Sequence, residues 1–160
     1  MNSSNRVVCL LLGSNIWPEM NLKHALHMLR DQLGILKISS VWKTRAKGSP
    51  GPDFLNAAVL AETDLSADEL KEDVLRPLET KLGRVRKADK NAPRTMDIDI
   101  IIFDGLLMDE DLWQQAYVAV PVSELLPDYI SDNGMMLKDA AHLLAGIEPL
   151  TLMPRIFEDN

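Results

Sequence analysis

A single cysteine, Cys9, stands among the 160 residues, so no internal disulfide can form and a reducing compartment is the natural setting. No apolar run approaches the length of a membrane span: residues 7–12 are apolar, but Ser14 and Asn15 follow almost at once and no cleavage-site pattern is present. That run reads as a buried strand, and the cytoplasm is the expected location. Histidines are few and poorly placed for a metal. His24, His27 and His142 have no ligand spacing with Cys9 or with one another, so they read as surface residues. After Gly13, Ser14 and Asn15 no Gly-Lys-Ser/Thr follows, which excludes a Walker phosphate loop and leaves a strand-to-helix turn. Internal repeats and low-complexity tracts are absent as well. Positive charge is in deficit: a net charge of −7 argues against general nucleic-acid binding, which needs a broad basic face.

What is present is ordinary in bulk. An apolar share of 46% and a charged share of 26% suit a globular protein, and the length suits one domain over residues 1–160. Residues 18–33 predict a helix, with Pro18 and Glu19 at its start and Leu22, Ala25, Leu26, Leu29 and Leu33 at helical spacing; Gly34 is the expected left-handed stop. A strand is expected over 35–42. A cationic loop over 43–53 follows, broken by Gly48, Pro50, Gly51 and Pro52, and then a strand over 54–62. Ser66 and Glu69 match a capping box ahead of a helix that buries Leu70, Val74, Leu78 and Leu82 and ends at Gly83; Pro77 should kink it. Beyond residue 105 the pattern weakens: a short strand over 117–121, a helical turn over 123–126 and a helix over 135–144. The order β-α-β-β-α-β is that of a split β-α-β unit, an antiparallel sheet with two helices on one face.

Local charge carries more than the total. Ile98, Ile100, Ile101 and Ile102 give residues 97–103 the composition of a central strand, with Asp104 and Gly105 as its turn, yet Asp97 and Asp99 sit inside it. Side chains alternate along a strand, so the two acids share one face about 7 Å apart. Arg84, Arg86, Lys87, Lys90 and Arg94 lie just upstream. A solvated acidic face neutralised by a basic loop is one reading. A site for divalent cations and a polyphosphate is the other, favoured because the cations outnumber the acids and arginine forks match phosphate geometry. Phe54 and Asn56 share a strand face after the loop; Phe54 reads as core by default, and an inward Asn56 takes either a protein partner or the edge of a heterocyclic ligand. Glu79 reads as a surface acid paired with Arg76 or Lys81.

The segments Leu12-Gly13-Ser14-Asn15, Asp53-Phe54-Leu55-Asn56-Ala57, Leu82-Gly83-Arg84-Val85-Arg86 and Pro93-Arg94-Thr95-Met96-Asp97-Ile98-Asp99, in that order and spacing, resemble the 6-hydroxymethyl-7,8-dihydropterin pyrophosphokinase family over about the first two-thirds of the chain. The resemblance implies a ferredoxin-like α+β fold and transfer of pyrophosphate from ATP to the pterin hydroxymethyl, releasing AMP, in folate biosynthesis. It implies two magnesium ions on Asp97 and Asp99, with Arg84 and Arg94 catalytic. Glu79, Arg84, Arg86, Lys90 and Ile98 would contact the nucleotide; Thr44, Phe54, Asn56 and Tyr117 the pterin. No nucleic-acid or membrane partner is implied. Two departures stand out: Lys90-Asn91 replaces an Arg-Trp, and residues 108–115 carry acids where the family has a His and an Arg. A family member that binds without turnover, or a transferase for another hydroxylated heterocycle, are the alternative readings.

Overall fold

In the computed structural model, which describes residues 5–45, 51–84 and 94–157, the first apolar run becomes the central strand β1 (Arg6–Ser14). Seven of its nine residues are buried, as expected of a strand covered on both faces. The next elements are α1 (Pro18–Gln32), β2 (Gly34–Ile38), β3 (Val41–Thr44), β4 (Phe54–Thr63) and, after a second helical segment, β5 (Asp97–Phe103). β1 pairs antiparallel with β4 on one side and β5 on the other. β2 and β3 both pair with β4, so the strand expected over 35–42 is broken. The break lies at Ser39, whose N–H donates to Ala58 O at 2.9 Å while its hydroxyl accepts the Ala58 N–H at 2.7 Å. β6 (Leu106–Leu107) and β7 (Thr151–Met153) extend the two edges in the order β6-β5-β1-β4-β3-β7. The core is the expected βαββαβ arrangement of a ferredoxin-like α+β fold.

Alternation along β1 sorts two cores. Val8, Leu10 and Leu12 meet Leu22, Ala25, Leu26 and Leu29 of α1 and Leu70, Val74, Leu75 and Leu78 of the second helical segment. Cys9 and Leu11 face the other way, toward α4 (Ala116–Leu125) and α5 (Leu137–Ile147). The C-terminal third therefore adds a helical layer to the face that the sequence pattern left open.

The second helical segment begins with α2 (Ala67–Glu69), where Ser66 and Glu69 form the reciprocal capping box. It continues as a π-helical stretch, Leu70–Leu75, and ends as α3 (Arg76–Lys81). The Arg76 N–H reaches back five residues to Lys71 O, and Pro77, which has no N–H, comes next. The widened turn is one of the known ways a helix accommodates a disruption of its hydrogen-bond ladder. Gly83, at φ +90°, supplies the left-handed stop. Gly34 does not: α1 leaves through Leu33 in an extended conformation, and Gly34 is already the first residue of β2. At the far end of β5, Asp104 and Gly105 both have positive φ, the signature of a tight hairpin turn into β6.

Residues 117–121 are helical, not a strand. Val118, Val120 and Val122 favour a strand by propensity, but Val118, Ala119, Val122 and Leu125 recur at helical spacing on one buried face. Packing against β1 and β4 overrides propensity, even with Pro121 inside the helix. Among the described residues no helix is long and apolar enough to cross a membrane.

Cys9 is 1% exposed, and burial pushes its thiol up to about 12. Since the thiolate is the reactive form, iodoacetamide at pH 8 should leave the folded protein unlabelled and modify one cysteine in urea. Native labelling at the rate of a free thiol would contradict this burial.

Candidate active site

The strand register builds the site. Gly13 of β1 stands opposite Asn56 of β4 and Asp97 of β5, and Leu11 opposite Ala58 and Asp99. One sheet face thus carries the amide, a glycine and the two carboxylates across three strands. Gly13 is required there: a Cβ would lie 2.8 Å from Asn56 Oδ1, so any larger residue pushes the amide off the sheet. Asn56, 3% exposed, donates through Nδ2 to Thr44 Oγ1 at 3.1 Å. Thr44 pairs with Phe54 in the β3–β4 register, which brings the three residues together.

At the opposite end, each oxygen of Asp97 accepts from a guanidinium: Oδ1 from Arg84 at 2.6 Å and Oδ2 from Arg94 at 2.7 Å. Arg84 also pairs with Glu79 at 3.2 Å. Glu79 is no surface acid. It is 3% exposed and accepts the Ile98 N–H at 2.8 Å, with Arg84 rather than Arg76 or Lys81 as its ion-pair partner; Arg76 instead pairs with Glu72. Helical periodicity alone did not reveal this, because Glu79 follows Leu78 on the buried side of α3 and its partner comes from beyond the helix end.

Asp99 has no ion-pair partner among the described residues. Its side chain opens into the cavity and keeps contact with water, but the surrounding walls thin that water, and the charges of Asp97, Asp109 and Glu79 add to the effect. Together they push its carboxyl up to about 7, against the opposing pull of Arg94. Burial and the charges of Asp111, Asp99, Asp109 and Asp97 push the Tyr117 phenol up to about 12, so it stays protonated at neutral pH.

A cavity of about 350 Å³ joins the two ends, with Thr44, Phe54, Asn56, Arg94, Asp97, Asp99 and Tyr117 in its wall. All seven are residues singled out in the sequence. Arg84 and Glu79 stand behind Asp97 instead of in the wall. Ile98 is also outside it: the pleat turns its side chain, 6% exposed, into the core on the opposite face. Arg86 and Lys90 lie outside the described residues. Sequence reasoning missed Leu11 and Gly13 as wall residues, and Asn15 as a buried neighbour of Arg94; Asp111 belongs to the acidic stretch over 108–115 that it singled out. For Gly13 and Asn15 the available signal was a small-residue turn directly after a wholly buried strand.

No cluster of three or more His, Cys, Asp or Glu ligands occurs among the described residues. A pair of carboxylates is nevertheless what Mg²⁺ takes from a protein when phosphate oxygens and water complete its octahedron. Hard oxygen donors and an Asp99 destabilised by neighbouring negative charge fit such an ion.

The fold and the cleft together define an α+β protein of ferredoxin-like topology with an acid- and arginine-lined site for a small molecule. Residues 9–127 match the model of one family, 7,8-dihydro-6-hydroxymethylpterin-pyrophosphokinase, and the chain belongs to that family. It is 34% identical over 130 residues to a Synechocystis 2-amino-4-hydroxy-6-hydroxymethyldihydropteridine pyrophosphokinase, covering 74% of this chain and 66% of the relative. The Methylorubrum extorquens protein of the same name is 33% identical over 86% of this chain and 91% of its own length. The Arabidopsis thaliana folate synthesis bifunctional protein is 33% identical, but the chain spans 28% of it. A Plasmodium falciparum HPPK-DHPS crystal structure superimposes with a TM-score of 0.68 at 11% identity, over 89% of this chain and 45% of that one, which supports the fold.

The raised Asp99 carboxyl has a sign. Between its ordinary 3.8 and about 7 the folded protein holds the extra proton, so this group's contribution to stability falls as pH rises through that window. Asp99→Asn should therefore raise the melting temperature at pH 8 in EDTA and leave it unchanged at pH 4. Equal shifts at both pH values would show that the charge is not what matters.

Proposed function

We propose that this chain transfers the β,γ-pyrophosphoryl group of ATP to the hydroxymethyl of 6-hydroxymethyl-7,8-dihydropterin and releases AMP, a step of folate biosynthesis. The observation that carries the proposal is one cavity with a carboxylate pair and an arginine at one end and an amide, a hydroxyl and the Phe54 ring at the other, the Tyr117 phenol lying near enough to the acids to feel their charge. Such a cavity suits a flat heterocycle whose reactive arm points at the acids.

Asn56 offers a donor and an acceptor to the heterocycle edge, with Thr44 beside it. Phe54 and Tyr117 give the ring apolar walls, and the protonated phenol adds a donor. Asp97 and Asp99 would hold two magnesium ions, which when bound neutralise phosphate charge and increase the acidity of the attacking hydroxyl. Arg84 and Arg94 would take up negative charge as the bond between the α and β phosphates breaks, Arg94 from the cavity wall and Arg84 from behind Asp97. Arg86 and Lys90 extend this role to residues outside the described ones. No protein nucleophile is required, because phosphoryl-type transfer depends chiefly on alignment and charge compensation. On this reading residues 1–160 act as one domain in the cytoplasm, on small molecules rather than nucleic acid or membranes.

One observation favours a second reading. Asp109 and Asp111 add negative charge close to the site, enough to act on Asp99 and Tyr117, and a member that binds its ligands without turnover would tolerate this. The test is AMP formation from ATP, with and without the hydroxymethyl dihydropterin and Mg²⁺. AMP should appear only when both are present, and Asp97→Ala should lower kcat/KM by roughly a hundredfold or more, the loss of several kcal/mol of charge stabilisation. Pterin binding with no AMP would select the second reading.

A further inference from the structure

Asn15 occupies the turn after β1 and is 3% exposed. Its partners come from two distant stretches of chain. Its backbone N–H donates to Arg94 O at 3.1 Å, and its side-chain Oδ1 accepts the Arg94 N–H at 2.7 Å. Its Nδ2 donates to Pro52 O at 3.3 Å. Arg94 sends its guanidinium to Asp97 and into the cavity wall. Pro52 sits two residues before Phe54, where β4 and the amide end of the cavity begin. One buried amide therefore stands between the segment that places the charged end and the segment that places the heterocycle end.

We infer that Asn15 is a positioning residue for both substrates: its Oδ1 fixes the Arg94 backbone on the nucleotide side, and its Nδ2 fixes the Pro52 carbonyl on the acceptor side. The inference rests on the proposed pyrophosphokinase reading for the identity of the two ligands. An asparagine is suited to the task because it carries an acceptor and a donor on one short planar group. Serine is too short to span the gap between both segments. Aspartate keeps the acceptor and loses the donor, so the two arms are separable by substitution. A carboxylate serves the Arg94 N–H at least as well as an amide oxygen, whereas Pro52 O would be left facing an acceptor. Displacing reacting groups by as little as an ångström is enough to lower productive binding.

The test compares wild type, Asn15→Asp and Asn15→Ala. Dissociation constants are measured separately for 6-hydroxymethylpterin, by its fluorescence, and for a non-hydrolysable ATP analogue with Mg²⁺, alongside thermal melting. Asn15→Ala should weaken both ligands by about tenfold, the usual effect of one or two lost buried hydrogen bonds. Asn15→Asp should weaken the pterin by about the same factor and leave the nucleotide analogue within about twofold. Equal losses for both ligands in Asn15→Asp, or no loss in Asn15→Ala, would overturn the inference. If Asn15→Ala does not fold, the ratio of the two affinities in Asn15→Asp still decides it. A wild type that binds neither ligand overturns the proposed function and this inference together; variants that bind like a competent wild type overturn this inference alone.

Discussion

One carboxylate held by two guanidinium groups organises the cleft. Arg84 and Arg94 come from opposite ends of the stretch between α3 and β5, and both end on Asp97. These ion pairs draw the end of a helix to the start of a strand. The pleat of β5 completes the arrangement. Asp97 and Asp99 face the cavity because Ile98 and Ile100 face the core beneath α1, and a one-residue slip in the β1–β5 register would bury the acids and expose the isoleucine. Register is thus set by the apolar residues, and the acids are carried into place by it. A bulge between Cys9 and Leu10 shifts the pairing farther along the strand, leaving the register around Gly13 to Leu11 regular where the site lies.

Stability alone does not account for the charge network around Asp97. Glu79 and Arg84 are both largely removed from water, with side chains 4% and 11% exposed, and desolvating such a pair offsets much of its attraction. Well-packed apolar residues would hold α3 against β5 at least as firmly. What the ionic version adds is direction: Glu79 accepts the N–H of Ile98, between the two acids, and also pairs with the arginine that meets Asp97. The strand carrying the acids and the cation beside them are therefore tied to the same carboxylate. Leaving any one member unpaired in this setting is strongly unfavourable, so the set behaves as a unit.

Much of this was legible in the sequence where one physical rule decides the outcome. Strand alternation placed the acids on one face; the capping box at Ser66 and Glu69, the glycine stop at Gly83 and the turn at Asp104 and Gly105 were read from local geometry that tertiary contacts do not override. Errors arose where local signals compete with packing. The valines of residues 118–122 read as a strand, but the open face of the sheet selected a helix. Gly34 had the right composition for a helix stop, yet the chain turned extended at Leu33 and used the glycine in a strand. Glu79 read as a surface acid because Arg76 and Lys81 stand near it in the same helix; its actual partners arrive from β5 and from Arg84. Asn15 was opaque for the same reason, since both side-chain partners lie dozens of residues away. Side chains defined by long-range partners leave no periodic trace.

The distribution of charge bears on how a polyphosphate would enter this cleft. Residues 104–136 contain no Lys or Arg and seven acids, Asp104, Asp109, Glu110, Asp111, Glu124, Asp128 and Asp132, which accounts for the whole net charge of −7. This segment supplies one wall of the cavity through Asp111 and Tyr117. Arg94 in the wall and Arg84 behind Asp97 supply positive charge beside β5, while Arg45 lies just past the end of β3. A highly charged anion would be repelled by the acidic segment and attracted by the arginines beside β5, so its phosphates belong against β5 and the end of α3. The arginines already compensating Asp97 cannot neutralise a triphosphate as well while they remain there. On the proposed reading, divalent cations held by Asp97 and Asp99 would supply the charge that lets both guanidinium groups serve phosphate instead of the carboxylate. Acids on the facing wall make that requirement stricter, because in a partly desolvated cleft each uncompensated charge acts more strongly than it does in water. On the proposed reading, the acidic wall raises the dependence of binding on the metal ions while leaving the heterocycle end, built from Thr44, Phe54 and Asn56, unaffected.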